Sequence, residues 1–308
     1  MPSLRARLMN AFLRRTTKAL WRDGMDIVEV RGHALRMDRR LAGKPPAGVP
    51  IEDLTVNGVP ATWIGDRSLE SHGTLLYLHG GAWCLHLPGI YRRFGARLSA
   101  LTGMRVLLVD YRLAPEHPFP AATDDCYAAY RWLVENGYAG RPLVVAGDSA
   151  GGSLTAVTLM RARDAGLPLA NCAVLISPST DLTMSGPSAT YNLDADPMFS
   201  EASFRLLPPI VCPGLDRADP LLSPLFGNWT GLPPLLFHAG STEVLLDDSV
   251  RAHDRARQAG VAAEIEVWWQ MVHVFQVFHV LPEARVALGR IAAFIGKHAQ
   301  GGAGATAA

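Results

Sequence analysis

The amino-acid sequence predicts an α/β fold built on a mostly parallel, doubly wound sheet, and three observations carry that prediction. From about residue 50 onward, short apolar runs alternate with longer stretches of helical periodicity, the rhythm of successive βα units. The later runs are continuous and rich in Val, Leu and Ile, as strands are when both faces of a sheet are covered. Gly103, Gly137, Gly166 and Gly260 each stand just past a helical stretch, where a left-handed residue lets the chain leave the helix.

In chain order the predicted strands cover 51–56, 62–64, 74–79, 105–110, 143–146, 173–177, 234–239 and 263–268. Helices are predicted between and after them, over 89–101, 121–136, 150–165, 245–259 and 283–297. Two stretches break the rhythm. Residues 1–45 precede the first strand and end in the breaker cluster Gly43-Lys44-Pro45-Pro46. Residues 181–225 separate two strands by far more than one helix; they hold Asp196-Pro197-Met198-Phe199, a helical patch over 201–207, then Pro208, Pro209 and Pro213. Insertions at the carboxyl edge of a parallel sheet shape the ligand crevice, so both stretches read as a cap. The expected organisation is an N-terminal cap segment 1–45, a catalytic domain 46–300 with a cap insertion at about 181–225, and a disordered tail 301–308 of small residues.

Composition excludes several function classes. The 308 residues carry 29 basic against 28 acidic side chains, a balance that argues against a nucleic-acid-binding surface, which shows as a basic excess. Cys84, Cys126, Cys172 and Cys212 are widely spaced and form no Cys-x-x-Cys pair, so they read as buried apolar residues in a reducing, cytoplasmic setting rather than as disulfides or zinc ligands. No apolar run is long enough to insert stably across a bilayer. Residues 1–22 carry Arg5, Arg7, Arg14, Arg15, Lys18 and Arg22 and no acid, with Leu4, Leu8, Phe12 and Leu20 on one helical stripe. A transit peptide or a membrane-surface helix shares that composition, but the expectation is a helix that packs its apolar stripe on the enzyme body.

The chemistry centres on Gly147-Asp148-Ser149-Ala150-Gly151, a G-x-S-x-G pentapeptide. Alone this is a weak signal; here a predicted strand precedes it and a predicted helix follows, so Ser149 stands on a tight strand-to-helix turn whose neighbours two before and two after must lack side chains. His79-Gly80-Gly81-Ala82-Trp83 closes another strand, and its glycines let backbone N–H groups approach a reacting oxygen; Gly80 and Gly81 are expected as oxyanion donors, with Ala150 as a third. His79 is expected to hold that loop rather than move protons. Of ten histidines, His273 lies on the loop after the last strand and suits a general base, whereas His279 lies in a more apolar, helical run. The acid should fall between serine and histidine in chain order. Glu243, leaving the strand at 234–239, is preferred to Asp247 and Asp248, which read as caps of the next helix. Trp83, Met184, Phe199 and Leu206 are candidates for an acyl pocket, with plain packing of the cap as the competing reading for the last three.

Taken together, His79-Gly80-Gly81-Ala82-Trp83, Asp110-Tyr111-Arg112-Leu113-Ala114-Pro115-Glu116, Gly147-Asp148-Ser149-Ala150-Gly151-Gly152 and Met271-Val272-His273-Val274-Phe275 resemble the hormone-sensitive-lipase-like family, bacterial family IV, of carboxylesterases. The resemblance covers about residues 50–298. It implies an α/β-hydrolase core, a helical cap, and hydrolysis of short-chain acyl esters with neither metal nor cofactor; dimerisation through the sheet edge is common in the family. Two departures stand out: Ala82 replaces a third glycine found in many members, and Glu243 stands where many carry Asp. Two other readings keep the fold. An amidase or peptidase would want a charged clamp for a peptide terminus, which the sequence does not offer. A receptor-like ligand-binding member would lack the base, and His273 is present.

Overall fold

The computed structural model describes residues 1–43 and 46–299. The tail at 301–308 and Lys44-Pro45 of the breaker cluster lie outside them. Eight strands form one sheet in the order β1-β2-β4-β3-β5-β6-β7-β8. These are β1 (Ile51–Val56), β2 (Val59–Ile64), β3 (Thr74–Leu78), β4 (Arg105–Val109), β5 (Leu143–Asp148), β6 (Cys172–Ile176), β7 (Leu235–Gly240) and β8 (Ala263–Trp268). The pairs β1–β2 and β2–β4 are antiparallel and all others parallel. The helices are α1 (Leu4–Thr16), α2 (Ile27–Leu41), α3 (Pro88–Thr102), α4 (Ala121–Glu135), α5 (Ala150–Asp164), α6 (Ser188–Tyr191), α7 (Glu201–Val211), α8 (Leu246–Gln258) and α9 (Pro282–Ala299). This is the α/β-hydrolase architecture.

Strand faces alternate as the pleat requires. In β3, Leu76 and Leu78 join the core under α4, α5 and α8, whereas Leu75 and Tyr77 join the core under α3 and α9. Every residue of β3 through β7 is buried, which is why these strands read as unbroken apolar runs. Two boundaries differ from expectation for local reasons. Strand β2 begins three residues early because Asn57-Gly58, both at positive φ, form a tight hairpin turn with β1. Helix α7 continues through Pro208 and Pro209, which occupy its last turns, where two missing N–H groups leave only carbonyls behind them unpaired.

The N-terminal segment departs most from expectation. Leu4, Leu8 and Phe12 are 68%, 62% and 39% exposed, and Leu20 is half-buried. The opposite face of α1 packs inward instead, through Ala6 and Leu13, onto Met271, Val272, Phe275, Leu281, Ala284 and Ala287. Polar anchors select that face. Ser3 binds Glu283, Arg5 reaches the Val280 carbonyl, Arg14 the carbonyls of Asp194 and Ala195, and Lys18 those of Leu193 and Asp196. The small Ala6 lets the helix approach closely.

Candidate active site

Ser149 sits between β5 and α5 with φ 54° and ψ −121°, a strained conformation for a residue with a side chain. The glycines around it are sterically required: a Cβ at Gly147 would overlap the Gly151 backbone, and one at Gly151 would overlap the carbonyl oxygens of Leu78 and His79. The Ser149 N–H donates to the Ile176 carbonyl at 2.9 Å, which pins the turn to the end of β6.

His273 lies on the loop after β8, 3% exposed, with Nδ1 2.7 Å from Oε2 of the fully buried Glu243. Glu243 follows β7, and its Oε1 accepts from the Ser177 hydroxyl at 2.7 Å and from the Gly240 N–H. Ser177 in turn accepts from the Val274 N–H at 3.2 Å. Ile176 and Ser177 therefore tie the serine turn to the histidine loop. A proton held on Nδ1 by Glu243 leaves Nε2 as the basic nitrogen. Burial works to lower the His273 pKa, but the charge and hydrogen bond of Glu243, with the charges of Asp196 and Asp148, outweigh it and raise the pKa above 6.5. Asp247 and Asp248 do not reach His273. Nor do they cap their own helix: Asp247 accepts from the Ser188 N–H at 2.6 Å, and Asp248 from Thr180 and Asp181 at 2.7 and 2.9 Å, binding the cap insertion to α8. His279 is exposed in a turn before α9 rather than within a helix.

The oxyanion expectation needs one correction. The Gly80 N–H is already engaged by Tyr91 Oη at 2.9 Å and Asp148 Oδ1 at 3.0 Å, so it cannot face a substrate. Among the described residues no protein group accepts from the N–H of Gly81 or Ala82, and Ala150 opens α5, where the N–H has no partner within the helix. The N–H groups left without a protein acceptor are thus those of Gly81, Ala82 and Ala150, and Gly80 is the residue that lets Asp148 close in: a Cβ there would overlap the Asp148 carboxylate. Asp148 also accepts from Tyr77 and Tyr91 at 2.7 and 2.8 Å, so three buried donors lock the turn; burial still leaves its pKa raised.

His79 braces this turn. Its Nδ1 lies 2.7 Å from the Gly80 carbonyl, its own carbonyl accepts from Tyr111 Oη, and its ring stacks on Tyr111 at 4.2 Å. Burial, with the neighbouring His86, pushes its pKa down to about 3, so it stays neutral and takes no proton at working pH. The Asp110–Glu116 segment holds the loop from behind: Arg112 pairs with Asp125, and Arg31 with Glu116. His79, His86 and Asp110 have donor atoms within 4.8 Å of one another, a metal-capable set, although His86 Nδ1 is already 3.0 Å from Asp110 Oδ1.

The pocket candidates divide. Phe199 meets the His273 ring edge-on, with centroids 5.0 Å apart. Trp83, 8% exposed, follows the Gly80-Gly81-Ala82 turn and lines a narrow cavity with Phe119, Val211 and Leu222. Met184 is tied by its N–H to Asp181, and Leu206 is half-buried on α7; no described contact joins either to the histidine. Asp196 belongs to the site without having been singled out for it. Fully buried, it accepts from Met198, Phe199 and Val244 N–H groups and so fastens the cap to the turn carrying Glu243. Its Asp-Pro-Met-Phe context was the only signal in the sequence, and Ser177 had none.

Fold and the tight Ser149 turn between β5 and α5, the elbow of the site, together define the class, an α/β-hydrolase. A profile described as the alpha/beta hydrolase fold matches residues 75–277. The chain is 40% identical over 269 residues to an "Acetyl-hydrolase" of Streptomyces hygroscopicus, covering 87% of this chain and 90% of that protein. It is 39% identical over 237 residues to "Esterase LipU" of Mycobacterium tuberculosis, covering 74% and 80%. Among solved structures, an esterase from the bacterial hormone-sensitive lipase family superposes with a TM-score of 0.90 at 36% identity, covering 97% of this chain and 99% of the other. The chain belongs to that hormone-sensitive-lipase-like family of α/β-hydrolase esterases, and it is a carboxylic ester hydrolase.

Proposed function

We propose that the protein hydrolyses short-chain acyl esters through Ser149, His273 and Glu243. The observation that carries this reading is the 2.7 Å contact of His273 Nδ1 with Glu243 Oε2 at the same sheet edge as the strained Ser149 turn. Ser149 Oγ attacks the ester carbonyl carbon while His273 Nε2 takes its proton. The N–H groups of Gly81, Ala82 and Ala150 receive the negative oxygen of the tetrahedral intermediate. His273 then protonates the departing alcohol, leaving an acyl-serine. Water, deprotonated by the same histidine, attacks the acyl carbon and releases the acid and free Ser149. Glu243 keeps the imidazole in the useful tautomer and balances the imidazolium.

The Phe199 ring standing edge-on against His273 supports a short acyl group by filling space beside the base, and the acetyl-hydrolase name of one relative agrees with that size. A p-nitrophenyl ester series from acetyl to palmitoyl tests the preference; highest kcat/KM at palmitoyl would contradict it. Ser149→Ala, folded by circular dichroism, should lose turnover, and an organophosphate should label Ser149 alone. A folded Ser149→Ala protein with near-native turnover would end the mechanism.

A further inference from the structure

We propose that the outer face of α1 is a docking surface for anionic lipid bilayers, which the enzyme binds peripherally. The inner face of this helix is fixed to the protein by Ala6, Leu13 and the bonds of Ser3, Arg5, Arg14 and Lys18, so the outer face is a permanent feature and not a loose tail. That outer face carries Leu4, Leu8 and Phe12 in successive turns, with Met1 fully exposed beyond them. Solvent does not favour three large apolar side chains in a row on a helix that has a buried face available to it.

Charge identifies the occupant. Arg7 and Arg15 are exposed on the same helix and border the apolar row, and residues 1–22 contain no acid. An apolar stripe flanked by arginines matches the boundary between acyl chains and anionic headgroups, where the side chains sink into the apolar layer and guanidinium groups pair with phosphate. A protein partner would need acids framing an apolar groove; a bilayer offers both by composition. Among the described residues no helix is long and apolar enough to cross a membrane, so the contact is with the surface.

Docking this way also has a place in the enzyme's work. Helix α1 packs on Met271, Val272 and Phe275, which surround His273, so a docked helix sets the candidate site beside the bilayer, where esters of amphiphilic molecules collect. The proposal stands whether or not the catalytic assignment above is correct, because it is read by binding.

The full chain should be sedimented with vesicles of phosphatidylcholine, with and without about one-quarter phosphatidylglycerol. Wild type should partition onto the anionic vesicles and release as salt rises from about 0.1 M to about 0.5 M. Leu8→Ser with Phe12→Ser, and separately Arg7→Gln with Arg15→Gln, should each lower that partitioning roughly tenfold or more, while Arg7→Lys with Arg15→Lys retains it. Turnover of dissolved p-nitrophenyl acetate should stay at the wild-type level in all three. Failure of the wild type to bind, or equal binding by all variants, overturns the proposal. So does a homodimer that depends on Leu8 and Phe12 without vesicle binding, which would give this face to a second copy. Loss of acetate turnover in the serine variant would show that the face is needed for the fold and overturn it as well.

Discussion

The Ser177 hydroxyl donates to Oε1 of Glu243 at 2.7 Å, on the opposite side of the carboxylate from His273. Two oxygens of one acid are thus divided between a brace and an imidazole. Because Ser177 also accepts from Val274, it fixes both the acid and the loop that carries the base.

Ser177→Ala should therefore loosen the pair without removing either member. Leaving a buried carboxylate oxygen and the Val274 N–H short of a partner costs about 1–3 kcal/mol. The expected outcome is a lower melting temperature together with a fall of roughly tenfold in kcat at little-changed KM. A variant with unchanged kcat would remove Ser177 from the positioning of Glu243.

Glu243→Gln should separate orientation from stability. The loss of the charge that balances the imidazolium lowers kcat by as much as about 10⁴ at nearly unchanged melting temperature. Asp248→Ala should do the reverse. It strands the N–H groups of Thr180 and Asp181, so the melting temperature falls while kcat changes little. Catalytic collapse in Asp248→Ala with an active Glu243→Gln would reassign the acid.

The pH profile follows from the His273 environment. The base must be neutral, so kcat/KM is present above its pKa and lost as pH falls through it. Burial opposes the rise, but the acidic neighbours prevail, so the acidic limb should lie above 6.5. Asp196→Asn removes one of the charges that favour the imidazolium; the limb should move to lower pH. A profile that stays in place, or moves upward, would contradict the assigned role of Asp196.

Deletion of residues 1–22 should impair the enzyme. Arg14 and Lys18 hold the carbonyls of Leu193 through Asp196, and Asp196 holds Val244 next to Glu243. Trp21 packs near Phe199, which lies against His273. Truncation should lower both melting temperature and kcat. Equal stability and turnover in the shortened chain would show that the cap insertion holds the acid turn unaided.

The sequence by itself determined the sheet, the elbow and the family, because these rest on local rules. Continuous apolar runs mark strands covered on both faces, and glycines at 147 and 151 follow from backbone approaches that any side chain would block. Chain order and loop placement also suggest Glu243 and His273 as partners, and the fold sets their side chains 2.7 Å apart. Only the tertiary structure decided which N–H groups point where. Gly80 and Gly81 look alike in sequence, yet Asp148 and Tyr91, brought in from β5 and α3, claim the first and leave the second and Ala82 free. Likewise the period of α1 announces an amphipathic helix but not which face turns inward. That choice was made by Glu283 and the carbonyls at 193–196, partners far away in the chain, whose contacts with Ser3, Arg14 and Lys18 hold the small Ala6 face against the body and leave Leu4, Leu8 and Phe12 outside.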